Sequence, residues 1–288
     1  MLSMLSPRQM RVTTRAFASA AAPRAFASAA APRPLEGQFA WIIGGAGAVG
    51  AGLARSLLDA GATVLVNSRR VNALATLSKD LDDHDRLIGV PGSMLPESAE
   101  ETVAAVMNLT AYRLDHVIAH SAVRWWAADG GDETSTLTRR DSLLHVPPAE
   151  FSSIASQLSG LHYAAAHHLT PLMSHRGGSF TFVTSNADGA WGPRSSVAQI
   201  NAHSVMGLAS AMRSEMEGST VRVSELRLGP GMRLNRPSAE RESDPREKPL
   251  SQDIGRVVAG IVARGDSGLL QATDKFEFEM LKQKYAIA

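Results

Sequence analysis

The clearest chemical spacing in this chain is Gly44-Gly-Ala-Gly-Ala-Val-Gly50, in which Gly45, Gly47 and Gly50 stand as G-x-G-x-x-G. The early glycines permit a tight turn, a missing side chain lets backbone approach a pyrophosphate, and the last glycine lets helix pack on strand. N–H groups at the start of the following helix then face the phosphates, where the helix dipole favours negative charge. Gly44, Gly45, Gly47, Ala48, Val49 and Gly50 are therefore the candidate phosphate-binding residues. The competing reading of the same residues is a glycine-rich connector with no ligand.

A second group lies after the next apolar run, where Val66 is followed by Asn67-Ser-Arg-Arg70. An acid at this point would accept hydrogen bonds from the adenosine ribose hydroxyls of NAD. Ser68 and Arg69 are suited instead to a 2′-phosphate, so NADP is the expected cofactor and NAD the alternative. The competing reading is a pair of solvated arginines opening the next helix. His120, a titratable group whose usual pKa range suits acid–base work, and Ser185 each close a later apolar run.

These residues need a scaffold. Phe39 to Ile43 reads as a strand, and Leu53, Leu57 and Leu58 mark the helix after it, stopped at Ala60-Gly61. Further strands are expected at 63–66, 87–90, 116–120, 178–185, 221–228 and 268–271. Helices are expected at 72–79, 98–108, 147–173, 195–217, 251–264 and 275–285. The alternation predicts an α/β fold: a single Rossmann-type, doubly wound, mostly parallel sheet with helices on both faces and ligands at the strand C-termini. Residues 232–249, charged and proline-bearing, read as a loop or lid.

Composition narrows the function classes. The 288 residues contain no cysteine, which excludes disulfides, thiolate metal sites and a cysteine nucleophile. No apolar run approaches the roughly 20 residues of a membrane span. The net charge of +1 hides five arginines and no acid in residues 1–35; the remainder has 24 basic and 28 acidic residues, a net of −4. Such a body offers no electrostatic footprint for nucleic acid. Residues 1–36 read as a tail ahead of a domain spanning 37–288. Within the tail Arg15-Ala-Phe-Ala-Ser-Ala-Ala-Ala-Pro23 recurs as 24–32. An Arg-, Ser- and Ala-rich, acid-free segment reads as a transit peptide to the mitochondrial matrix, with a plastid as the other destination and an unaddressed disordered tail as the third reading. Cleavage is expected after Phe17 or Phe26.

From residue 37 to 265 the sequence resembles the short-chain dehydrogenase/reductase family. The resemblance rests on Ile43–Gly50, Leu114-Asp115, Phe180-Thr-Phe-Val-Thr-Ser185, Gly207-Leu208 and Arg222-Val-Ser-Glu-Leu-Arg-Leu-Gly-Pro-Gly231, in that order and spacing. Gly44, Gly47 and Gly50 fit one glycine spacing of the family, whereas Ala48 occupies the glycine position of its commoner one. The resemblance implies hydride transfer between a nicotinamide and a carbonyl or alcohol. It also implies a Ser holding the carbonyl oxygen, a Tyr passing the proton, a Lys four residues later and an Asn on the preceding helix. Ser185 matches the serine. Ala198 stands at the tyrosine position, Ala202 at the lysine position and Gln157 at the asparagine position. Ala119-His-Ser-Ala122 replaces the fourth-strand motif, and Gly92 stands where an acid usually meets adenine. The resemblance adds Gly92, Ser121, Pro230 and Gly231 to the cofactor-binding candidates.

Tyr163 is expected on a different helix face from Gln157, and His203 to face away from Ala198. His162, His167, His168 and His175 lack partners at metal spacing, so no metal is expected. Trp125-Trp126 reads equally as a stacking surface or an interface. Three functions remain. The first is a dinucleotide-binding protein with a degenerate catalytic site, acting as a cofactor-binding or structural component, alone or in a mitochondrial assembly. The second is a divergent NADP-dependent oxidoreductase in which Ser185, Gln157 and either His120 or a substrate group manage the proton. The third is an interaction protein with an empty cleft. Homo-oligomerisation through the two long helices is implied by the resemblance.

Overall fold

The structure, a computed structural model, describes residues 33–120, 144, 146–185, 196–229 and 251–287. Ser121, the Trp125-Trp126 pair, Pro230, Gly231, the 232–249 segment and the tail repeats lie outside those residues.

Seven strands form one parallel sheet in the order β3-β2-β1-β4-β5-β6-β7. They are β1 (Phe39–Ile43), β2 (Thr63–Ser68), β3 (Leu87–Pro91), β4 (His116–His120), β5 (Ser179–Ser185), β6 (Arg222–Leu228) and β7 (Gly268–Ala272). Between them run α1 (Ala48–Asp59), α2 (Val71–Asp80), α3 (Ala99–Leu109), α4 (Pro148–Ala155), α5 (Leu161–Met173), α6 (Ser196–Glu215) and α7 (Ser251–Arg264), with α8 (Lys275–Lys284) closing the chain. This is the doubly wound sheet that the alternation of apolar runs predicts. Strand order reverses between β1 and β4, so their C-terminal ends, with Ile43 beside Ala119, open the crevice where such sheets bind ligands.

Alternate residues of each strand feed opposite cores. Ala40, Ile42, Val64, Val66 and Ile118 pack toward α1, α2, α7 and α8. Trp41, Leu65, Val117, Phe180 and Phe182 pack toward α3, α5 and α6. Burial on both sides is why the central strands read as unbroken apolar runs in the sequence.

Three features depart from the expected layout. The compact unit begins at Arg33, ahead of the expected 36/37 boundary. Leu35 is buried in the first core and its N–H bonds the Ala60 carbonyl at 2.8 Å. The single helix expected over 147–173 is α4 and α5 joined by a π-helical turn, Ser156–Gly160. One extra residue in that turn shifts the face that α5 presents. Third, α1 and α7 cross closely at two glycines: a Cβ on Gly52 would overlap the Ser251 carbonyl, and one on Gly255 would overlap that of Gly52.

Candidate functional site

The glycine turn has two kinds of glycine. Gly44 adopts φ +72°, the left-handed region that a side chain disfavours. A Cβ on Gly50 would overlap the Gly45 carbonyl, and one on Gly45 would approach Ile42 Cγ2 to 2.8 Å. Those three are glycines because the fold requires it. A Cβ on Gly47, in contrast, meets nothing within 4 Å among the described residues. Gly47 is the N-cap of α1, and among the described residues no side chain caps that helix end. The first backbone bond of the helix is Ala51 N–H to the Gly47 carbonyl at 2.8 Å, so the N–H groups of Ala48, Val49 and Gly50 precede the ladder. Open space in front of uncapped donors fits the pyrophosphate of a dinucleotide.

The end of β2 is held from below. Asn67 is buried and accepts a 3.0 Å hydrogen bond from Trp41 Nε1, while its Nδ2 reaches the Gly92 carbonyl at 3.4 Å. Ser68 Oγ accepts from the Arg70 N–H at 3.1 Å, which shapes the entry to α2. Arg69 and Arg70 are exposed, and neither side chain has an ion-pair or hydrogen-bond partner among the described residues. An unengaged guanidinium beside a hydroxyl suits a phosphate dianion. Gly92 has a packing reason to lack a side chain: a Cβ there would lie 2.5 Å from Thr102 Oγ1. It offers the adenine region only backbone, and that backbone is already tied to Ser68 and Asn67.

At the other side of the switch point, His120 ends β4 half-buried. Burial, with the nearby His162 imidazole adding to it, lowers the His120 pKa to about 4. At pH 7 the ring is neutral, so it can donate one hydrogen bond and accept another but holds no imidazolium proton to give away. That follows from its surroundings and reverses what its residue type invites. His162 is fully buried on α5 and stacks on Phe182, centroids 6.4 Å apart. Ser185 ends β5 half-buried, in register with Leu228. Gln157 lies in the π-helical turn.

On α6, Asn201 and Ala202 are buried and His203 is exposed, as helical spacing predicts. The tyrosines have separate settings. Tyr163 is exposed and stacks on His167, Tyr112 is exposed and donates to Asn108 Oδ1, and Tyr285 is buried with its hydroxyl on Asp266. Among the described residues no three His, Asp or Glu side chains are grouped to hold a metal, and no helix is long and apolar enough to cross a membrane.

Sequence reasoning missed one ionic cluster beside Ser185. Glu225 on β6 is wholly buried and accepts from Thr184 Oγ1 at 2.7 Å, from Arg227 Nε at 2.9 Å and from Arg213 of α6. The signal was there in the apolar frame of Val223, Leu226 and Leu228, where an acid needs a cation to be tolerated.

The fold has parallels. The sequence profile of the short chain dehydrogenases matches residues 38–232. A rhamnolipid-biosynthesis 3-oxoacyl-[acyl-carrier-protein] reductase of Pseudomonas aeruginosa is 28% identical over 94 residues, a match spanning 33% of this chain and only 37% of that enzyme. Among solved structures, the Pseudomonas aeruginosa RhlG/NADP active-site complex superposes with a TM-score of 0.68 at 18% identity, covering 85% of this chain and 99% of that one. A 3-ketoacyl-(acyl-carrier-protein) reductase from Brucella melitensis complexed with NADH gives a TM-score of 0.64 at 20% identity, over 83% and 97% of the two chains. At such identities the structural likeness speaks for the fold, and the profile match over more than half of the chain speaks for the family. The chain belongs to the short-chain dehydrogenase family, whose members are oxidoreductases built on an NAD(P)-binding fold.

Proposed function

We propose that this chain binds a dinucleotide, preferentially NADP(H), and has lost the family's usual proton-transfer apparatus. It then serves as a cofactor-binding or structural component rather than as a conventional reductase. The observation that carries this reading is Ala198 and Ala202, one turn apart on α6, where the family pattern has its Tyr and Lys. A methyl group can neither supply a proton to a developing alkoxide nor lower the pKa of a neighbour that does. The open space at Gly47 and the uncapped start of α1 support binding. Ser68 with the unengaged Arg69 supports the 2′-phosphate.

The test is a titration of the full chain with NADPH and NADH, following melting temperature. Stabilisation by NADPH at lower concentration than NADH is expected. No shift from either ligand at millimolar concentration would remove the binding claim.

Ser185 at the end of β5 favours one further reading, a divergent NADP-dependent oxidoreductase in which Ser185 holds a carbonyl oxygen while Gln157, His120 or a substrate group manages the proton. NADPH oxidation in the presence of carbonyl compounds separates the two. The acid-free, arginine-bearing tail supports import into the mitochondrial matrix. Import should shorten the chain by the residues before about Ala18 or Ala27, and equal masses before and after would count against cleavage. A homo-oligomer or a larger mitochondrial assembly belongs to the same proposal.

A further inference from the structure

β7 is the last strand of the sheet, so β6 pairs with only one of its sides. The Ala272 carbonyl accepts from the Gly229 N–H, which places the polar groups of Ala272 toward β6. Backbone groups alternate in direction along a strand, so those of Gly268 and Leu270 face β6 as well. The N–H and C=O groups of Leu269 and Gln271 point outward, and among the described residues no backbone group pairs with them.

An unpaired edge is a template for another strand, and soluble folds blunt theirs with charge, proline or a cover. β3, at the opposite edge, ends in Pro91, which has no N–H to offer, and exposes Gly89 rather than an apolar side chain. β7 reads Gly-Leu-Leu-Gln-Ala, with neither a charge nor a proline. The Leu269 side chain is 45% exposed, on the face opposite Leu270, which packs against the first core. α8 packs on the Leu270 face and exposes Phe276 and Met280, one turn apart.

The outward groups suit a second β7. Around a twofold axis at Leu270, two antiparallel copies place Leu269 of each opposite Gln271 of the other. Each such pair exchanges two N–H···O bonds, and Leu270 meets its own copy at the close, non-bonded position, about 4.5 Å between Cα atoms. This register uses every outward group of the strand. A twofold contact also requires a surface to answer its own charges. α8 can do so beside its apolar pair, where Lys275 and Glu277 are exposed and opposite in sign. A stable dimer buries about 800 Å² per partner, more than a five-residue strand supplies, so the exposed side chains of α8 belong to the same contact.

We propose that the edge of β7 pairs with a second copy of this chain, continuing the sheet across a twofold axis. The proposal gives the homo-oligomer inferred above a surface other than its two long helices. It rests on that oligomer and not on a bound dinucleotide.

The test combines sedimentation with amide hydrogen exchange on the full chain. Wild type should have twice the mass of Leu269→Lys, which puts a charge on the apolar edge. The Leu269 and Gln271 amides should exchange as slowly as that of Leu270 in wild type. In Leu269→Lys the Gln271 amide should exchange about tenfold faster or more, the worth of one hydrogen bond. Gln271→Pro removes one outward N–H without touching the ladder to β6, and should halve the mass in the same way. If neither variant folds, the wild-type exchange pattern decides. An oligomeric wild type whose mass both substitutions leave unchanged, or whose Leu269 and Gln271 amides exchange freely, overturns the β7 pairing and leaves oligomerisation to another surface. A monomer with both amides protected gives the edge to another segment of the same chain and likewise overturns it. A monomer with both amides exchanging freely removes the oligomer itself, and the proposal with it.

Discussion

Trp41 Nε1 donates to Asn67 Oδ1 across 3.0 Å in the buried seam between β1 and β2. This bond ties the strand that leads into the glycine turn to the residue just ahead of Ser68 and Arg69. It couples the two ends of the proposed adenosine subsite through the sheet rather than through solvent. Replacing Asn67 by Leu leaves the indole N–H unsatisfied and should cost about 1–3 kcal/mol of stability. Chemical denaturation measures that loss. Affinity for a 2′-phosphorylated adenosine ligand should fall in the same variant, because Ser68 is no longer held.

On the NADP(H) proposal, Arg69 is the residue that sets the cofactor preference. Its guanidinium is exposed and unengaged among the described residues, so removing it disturbs nothing in the fold. Arg69→Ala should weaken NADPH binding by about 10- to 100-fold, as expected for a charge-assisted bond to phosphate, and leave NADH binding unchanged. Parallel titrations with the two cofactors provide the check. Equal effects on both would move the 2′-phosphate away from Arg69.

His116 makes the fold acid-sensitive. Its Nε2 lies 2.5 Å from Gln38 Oε1 and its Nδ1 2.9 Å from Ser179 Oγ. An amide oxygen only accepts, so Nε2 carries the proton and Ser179 donates to Nδ1. Burial lowers the pKa from 6.5 to about 4. Because the folded value lies below the unfolded one, the unfolded chain binds the proton first as pH falls. Stability is therefore full above 6.5 and is lost progressively toward 4, by about 3 kcal/mol at most for this one group. His120 acts in the same direction. Melting curves across that range should show a steeper acid loss in wild type than in His116→Gln.

Glu225 holds two arginines at the β5–β6–α6 junction. Glu225→Gln removes the charge that both Arg213 and Arg227 answer, within a site where the carboxylate is wholly buried. A loss of about 3 kcal/mol is expected in urea denaturation. Repeating the melt at high salt should barely change the difference, since a pair out of solvent is little screened.

Much of this architecture is legible in the residues. β1, β4 and α7 fall on the expected spans, and most other element ends move by a residue or two, because buried parallel strands leave apolar runs and glycines mark the turns. The π-helical turn is not legible, since Ser156–Gly160 continues the polarity pattern and one inserted residue leaves no mark in it. Leu35 escapes notice because an isolated leucine beside Pro34 and Gly37 reads as the end of a tail. Within the site, the glycine turn and the Ser68-Arg69 pair announce themselves by spacing. The neutral state of His120 does not, because it depends on burial and on His162, forty-two positions away in sequence.

The central claim is a chain that holds the cofactor without the usual means of using it. Its most direct test is the initial rate of NADPH oxidation by the full chain across a panel of carbonyl compounds, in samples where NADPH binding has been verified calorimetrically. The account predicts bound NADPH and no oxidation above the rate of a Ser185→Ala control. Steady oxidation that drops about a hundredfold or more in Ser185→Ala would contradict it, because that is the scale of a working acid–base site.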